Sequence, residues 1–271
     1  MTSLIPDGLE ATVVLLRHGE STAIVDGRFQ GQLDTPLSPT GLRQAQLAAA
    51  RLARPHATPA LPVPVGAPVE IAHSPLTRTS QTATAVADGA VAADVFAARI
   101  PLRPDAGFLE IGQGDWEGLP LAEIVERWGD ILDEWRVRPT KAHAPGGESL
   151  DDVAARARPA IASLLAGLAA AGTGVKRPSM PVLPSHHEPP SHPWSIVVAH
   201  DGIFKVVLLT LFDLPLERFW LFPFALCGIT VVEFAAGRPR LRAHNLTEHL
   251  APLLEEQARA VSEQRERTGA L

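Results

Sequence analysis

Arg17, His18, Arg78 and His200 are two guanidinium and two imidazole groups of the kind that could together handle an anionic phosphate ester. Arg17-His18-Gly19-Glu20-Ser21 follows the apolar run Thr12–Leu16, and His200 follows a second such run, Ser195–Ala199. Arg78 falls in the first turn of a helix opened by Ser74-Pro75. A phosphate ester is shielded by its own oxygens. Its cleavage needs positive donors around them, a nucleophile in line with the leaving oxygen, and a proton for that oxygen. The planar guanidinium groups of Arg17 and Arg78 can each grip two oxygens, and His200 adds a donor. His18 can attack as the neutral imidazole, since an unperturbed histidine has a pKa of about 6.5. A backbone carbonyl near the Gly19 turn would hold the proton of its other nitrogen and fix the tautomer. Each residue also has a structural alternative: a histidine after a strand is commonly a hydrogen-bonding scaffold residue, and a helical arginine commonly stays at the surface. For Arg78 the first-turn position, where bound anions are stabilised, favours function.

The elements that position these residues alternate between strand and helix. Thr12–Leu16 is apolar throughout and β-branched at its start, as in a strand covered on both faces. Ser38-Pro39 supplies an N-cap and a first-turn proline for a helix over Thr40–Leu52, with Leu42, Ala45, Ala49 and Leu52 as its buried stripe. The Pro-rich stretch 54–68 is a surface loop leading to a strand over Val69–His73, after which Ser74-Pro75 repeats the cap-plus-proline device. Pro120 starts a helix to about Arg127, and another covers Gly129–Val137. Ser149 and Asp152 resemble a capping pair for an Ala-rich helix to about Ala171, which Pro159 should kink or split. A helix over Ile203–Phe212, strands over Ile229–Phe234 and Arg240–His244, and a charged helical tail from about Ala251 complete the chain. This alternation predicts a single α/β domain over residues 1–271: a three-layer α/β/α sandwich with a mostly parallel central sheet and its site beyond the carboxyl ends of the strands. Residues 172–193 lack hydrophobic periodicity and are expected to form a mobile insertion. Their His186, His187 and His192 have no second ligand set at fixed spacing, so no metal is expected there.

At 271 residues and 46% hydrophobic content the chain can bury a full core. Its net charge is −6, with Lys and Arg scattered, which disfavours nucleic acid as a partner. Cys227, the single cysteine, excludes an internal disulfide and is expected in a buried strand over Phe222–Val232. No signal peptide is legible, and the most apolar stretch, Ile203–Leu214, is short and carries Lys205 and Asp213. The expectation is a cytoplasmic protein with no membrane partner. Trp116, Trp128, Trp135 and Trp220 have spacings that suit packing.

Several blocks together carry a resemblance. Arg17–Ser21 is followed by Gly27-Arg-Phe-Gln-Gly31, Asp34-Thr-Pro-Leu37 and Thr40-Gly-Leu-Arg-Gln-Ala45. Then come Ser74-Pro-Leu-Thr-Arg-Thr-Ser-Gln-Thr-Ala83, Leu109-Glu-Ile-Gly-Gln-Gly-Asp-Trp-Glu-Gly118, Pro145-Gly-Gly-Glu-Ser149 and Val197-Val-Ala-His-Asp-Gly202. In this order they resemble the histidine phosphatase (phosphoglycerate mutase-like) superfamily, over about residues 12–245. The resemblance implies a phosphohistidine on His18, with Arg17, Arg78 and His200 binding the phosphoryl group and Glu110 as proton donor and acceptor. Asp115 and Glu117 compete with Glu110 for that role. The substrate-binding set on this reading is Arg17, Ser21, Arg28, Gln30, Gly31, Arg78, His200, Asp201 and Gly202; the ligand is a small phosphorylated metabolite, with no cofactor or metal. A homodimer is compatible with it.

Two positions depart from the pattern. Ile24 stands where many relatives have Asn, and Asp201 where many have Gly after the second histidine; a carboxylate there would either support His200 as a cation or repel substrate. The short segment before Pro145-Gly-Gly-Glu-Ser149 resembles phosphatases more than phosphoglycerate mutases. A mutase and a noncatalytic phospholigand-binding protein remain the alternatives.

Overall fold

Alternate side chains of the first strand enter two separate cores. In the computed structural model, which describes residues 4–93, 98–172, 191–253 and 256, β1 spans Ala11–Arg17. Ala11, Val13 and Leu15 enter one core, and Val14 and Leu16 the other. The helices α1 (Thr22–Val25) and α2 (Pro39–Ala53) follow, then β2 (Ile71–His73), α3 (Thr77–Ala92) and β3 (Leu102–Pro104). Next come α4 (Leu121–Val137), α5 (Leu150–Ala171), β4 (Trp194–Ala199), α6 (Asp201–Leu211), β5 (Ile229–Ala235) and β6 (Arg238–Leu246).

The six strands form one sheet in the order β3-β2-β4-β1-β5-β6. The first four are mutually parallel, and β5 runs antiparallel to both β1 and β6. Helices α5 and α6 contribute to the core on one face, with Ile161, Leu165, Phe204 and Leu208 against Val13, Val197 and Val232. Helices α2 and α3 cover the other, with Ala48, Leu52, Val86 and Ala87 against Val14, Ile196 and Val231. This is the expected three-layer α/β/α arrangement. Strand β5 follows α6 in the chain and lies beyond β1 from β4, pairing antiparallel with β1. Register fixes the site: Arg17 pairs with Ala199 and His73 with Val198, so the carboxyl ends of β1, β4 and β2 open side by side at one level.

Local details differ from the sequence reading. Leu42 is 46% exposed, while Gly41 is buried in its place. The backbone of Glu20 lies so close that no side chain fits at position 41, and this contact sets the rotation of α2. Strand β2 is shorter than expected, starting at Ile71. Ser74-Pro75 does not cap α3: the N-cap is Leu76, which makes no side-chain cap bond. Asp34 caps the helix from a distance instead, accepting from the amide (2.7 Å) and hydroxyl (2.8 Å) of Thr77. Pro159 does not split α5, because Pro159 and Ala155 both face solvent and the carbonyl that loses its partner can be hydrated. Cys227 is buried but lies in a turn before β5, with φ 52°. Helix α6 starts earlier than expected, directly after His200.

Other expectations agree with the structure. Ser149 and Asp152 form a reciprocal capping box on α5. Trp128, at φ −144° and ψ 33°, breaks α4 just before Gly129. By length and composition α5 could cross a bilayer, but its stripe of Val153, Ala157, Ile161, Leu164 and Leu168 is core. Most of the 172–193 insertion, and of the tail beyond Ala251, lies outside the described residues.

Candidate active site

His18 leaves β1 with its ring buried and its Nδ1 2.6 Å from the carbonyl oxygen of Gly19. A carbonyl only accepts, so Nδ1 carries the proton and Nε2 presents its lone pair. The turn is tight because Gly19 packs on the Gly41 backbone, where no Cβ fits. On the far side the Cys227 amide donates to the His18 carbonyl (3.3 Å). Burial, then the charges of Arg78 and Arg17, hold the His18 imidazole well below the usual histidine range, so the ring is neutral.

The two arginines are anchored by backbone. Arg17 Nη1 donates to Phe224 O (2.6 Å). Arg78, 1% exposed, donates from Nη1 to Leu33 O and from Nη2 to Gly31 O, both at 2.8 Å. Arg17 thus spends one of its five N–H donors on the protein and Arg78 two, and each keeps enough to meet two oxygens. Nε of both arginines is buried without a partner. Burial draws Arg78 down to about 10, against the opposing pull of Glu110, Asp34 and Glu117, and it stays charged at neutral pH. Two cationic donors buried without acceptors are costly unless an anion completes them.

His200 stands beside His18, with ring centroids 5.0 Å apart. Its Nε2 lies 2.9 Å from the Ser74 hydroxyl, and its Nδ1 is buried without a partner. Burial and the neighbouring His18, Arg78 and Arg17 push His200 well below the usual range. It is thus neutral, and of the two roles open to Asp201 support of a His200 cation is not the one taken: the Asp201 carboxylate pairs with Lys205 (2.5 Å). That ammonium also lies 4.9 Å from the Trp220 ring.

Glu110 reaches the site from the loop after β3. Its carboxylate accepts from the amides of Ile111 (2.9 Å), Gly202 (3.1 Å) and Ile203 (3.0 Å), the last two at the N-terminus of α6. Its competitors are placed otherwise. Asp115 is exposed, and Glu117 Oε1 ties the amides of Gln32 (2.8 Å) and Gln113 (2.9 Å) together.

The remaining expected binding residues hold the protein to itself. Gly202 serves Glu110, and a Cβ there would lie 2.7 Å from Glu110 Oε1. Gly31, at φ 49°, gives its carbonyl to Arg78. Ser21 caps α1 through the Ile24 amide (3.3 Å) and donates to Gln30 Oε1 (2.7 Å). Arg28 is exposed and donates to Gly118 O (2.6 Å). Glu20 accepts from Ser38 (2.6 Å), a local tie. Behind the Glu110 loop, Trp116 and Trp135 pack edge to face in a small core with Ile124 and Leu132.

Sequence reasoning missed Ser74 as a partner of His200, Asp34 as the cap of α3, and Arg156. The signal for Arg156 was available, since it interrupts an Ala-rich helix between Val153 and Ala160, both buried. Among the described residues no group of three or more His, Cys, Asp and Glu is arranged to hold a metal ion. His192 meets the Thr12 hydroxyl (2.7 Å), and His186 and His187 lie outside the described residues.

The model of the histidine phosphatase superfamily (branch 1) matches residues 13–172 and 183–247. Glucosyl-3-phosphoglycerate phosphatase of Mycobacterium tuberculosis is 33% identical over 206 residues, covering 76% of this chain and 77% of that protein. Phosphoserine phosphatase 1 of Hydrogenobacter thermophilus is 27% identical over 252 residues, 92% of this chain and 99% of that one. A solved mycobacterial glucosyl-3-phosphoglycerate phosphatase in complex with VO3 matches with a TM-score of 0.68 at 29% identity, over 87% of this chain and 99% of that one.

Proposed function

The chain belongs to the histidine phosphatase superfamily, branch 1, and from that premise we propose that it hydrolyses a phosphate monoester in two displacements through a phosphohistidine on His18. In the first, the Nε2 lone pair attacks phosphorus. The P–O bond to the alcohol breaks, and the departing oxygen takes a proton from Glu110. In the second, water attacks phosphorus, its proton passes to the Glu110 carboxylate, and the P–N bond breaks to return the electron pair to Nε2. Arg17, Arg78 and His200 bind the phosphoryl oxygens in both steps, and no metal takes part.

The observation that carries this reading is the 2.6 Å contact between His18 Nδ1 and Gly19 O. It fixes the tautomer that makes Nε2 nucleophilic, in a pocket where Nε of Arg17 and of Arg78 lack acceptors. The phosphatase relatives favour water as the final acceptor, and the substrate is a small phosphorylated metabolite. Two of the three backbone amides fill Oε1 of Glu110 and one meets Oε2, so the proton it donates sits on the remaining site of Oε2.

Purified protein should turn over an aryl phosphate with EDTA harmless and vanadate inhibitory. Rapid quenching should trap an acid-labile phosphoenzyme that is lost in His18→Ala. Absence of turnover, together with unchanged phosphate binding in His18→Ala, would sink the proposal.

A further inference from the structure

Arg156, in the second turn of α5, uses every N–H its guanidinium has. Nε and Nη2 form a two-point pair with Glu148 (2.6 and 2.9 Å). Nη1 donates to Gly107 O (3.1 Å) and Leu109 O (3.0 Å), and the second proton of Nη2 to Glu110 O (2.8 Å). Glu148 continues the chain: its Oε2 also accepts from the Gly112 amide (2.8 Å) and from Gln32 Nε2 (3.1 Å). Gln32 Nε2 lies 3.1 Å from the Glu110 carbonyl as well, and the flanking carbonyls of Gly31 and Leu33 hold Arg78. One ion pair thus fixes the backbone on both sides of Glu110 and ties it to the segment that anchors a phosphate arginine. The pair is only partly exposed, at 21% and 24% for the two side chains. Although burial works against the Glu148 carboxylate, Arg156 and the Gly112 amide hold it below the usual range.

Within the reading of Glu110 as proton donor, we propose that Arg156, locked to Glu148, is the positioning residue for proton transfer: it sets where the Glu110 carboxyl stands relative to the leaving oxygen. All its donors are occupied by protein, so it does not touch substrate itself. Lysine cannot replace it, because a single ammonium cannot span three carbonyls and a carboxylate.

The test uses leaving-group dependence. An alkyl phosphate needs a proton on its departing oxygen, whereas 4-nitrophenyl phosphate releases an acidic phenol that can leave as the anion. The kcat/KM of both esters is measured for the wild type, Glu110→Gln, Arg156→Lys, Glu148→Gln and the Glu110→Gln/Arg156→Lys double variant. Arg156→Lys and Glu148→Gln should lose about 100-fold on the alkyl ester and less than about tenfold on the nitrophenyl ester. The double variant should be no worse on the alkyl ester than Glu110→Gln alone, and vanadate inhibition should be unchanged in both position variants. Equal losses on the two esters, or none on either, would overturn the positioning role; if Arg156→Lys fails to fold, the near-isosteric Glu148→Gln decides alone. A Glu110→Gln variant that slows both esters equally would instead overturn the proton-donor reading beneath it.

Discussion

The carboxylate of Glu110 rests on the amide of Gly202, 3.1 Å away, at the first turn of the helix that follows His200. A β-carbon at position 202 would lie 2.7 Å from both Glu110 Oε1 and Ile111 Cδ1, so Gly202→Ala must displace the carboxylate. The expected result is a fall in kcat/KM of about 10–100-fold, from a shift of under an ångström or so, with vanadate affinity little changed. Steady-state kinetics with vanadate inhibition checks it, and a fully active alanine variant refutes it.

Acid should destabilise the fold through its histidines. Burial first, and then the neighbouring cationic groups, hold His18 and His200 well below their ordinary value of 6.5 in the folded protein. His192, His244 and His249 shift the same way. As the pH falls through about 6.5 the unfolded chain takes up protons that the folded chain refuses. Stability is therefore full above that pH and erodes below it, by up to about 1.4 kcal/mol per pH unit for each histidine. Urea denaturation from pH 7.5 to 5 should show this slope, and His18→Asn should flatten it; the same slope in the variant would refute the assignment.

Asp34 caps a helix 43 residues away through both Thr77 donors. Asp34→Ala should cost about 1 kcal/mol, as loss of an N-cap does, and Asp34→Asn much less. Because α3 carries Arg78 in its first turn, the alanine variant should also weaken inhibition by inorganic phosphate. Denaturation midpoints and phosphate inhibition constants read the two effects separately.

The Cys227 thiol is fully buried, and burial pushes its pKa up to about 12. A thiol reagent at pH 8 should leave the native protein unlabelled and react promptly in urea. Rapid labelling without denaturant would contradict the buried turn described above.

Features set by neighbouring residues were legible in the sequence. The apolar run Thr12–Leu16, the Ser149–Asp152 capping box and the break before Gly129 each depend on side chains a few residues apart, and the structure reproduces them. The ordered blocks around Arg17, Arg78, Glu110 and His200 conveyed the family because their spacing survives in one dimension. Where the reading failed, a distant group had taken over. Ser74-Pro75 looks like a helix cap, but Ser74 faces His200 and the cap comes from Asp34. Leu42 fits the periodicity of a buried stripe, but the close approach of Gly41 to Glu20 turns it outward.

The family, the α/β alternation and the tautomer expected of His18 could be read from the residues in order, because they rest on local propensity and on a carbonyl one residue away. The folded arrangement was needed to see that Gly31, Ser21, Gln30 and Gly202 brace the machinery, that Asp201 pairs with Lys205, and that Arg156 and Glu148 hold the Glu110 loop. Most hydrogen-bond donors and acceptors in a buried site find partners within the protein, and those partners come from whichever loops the sheet order brings together.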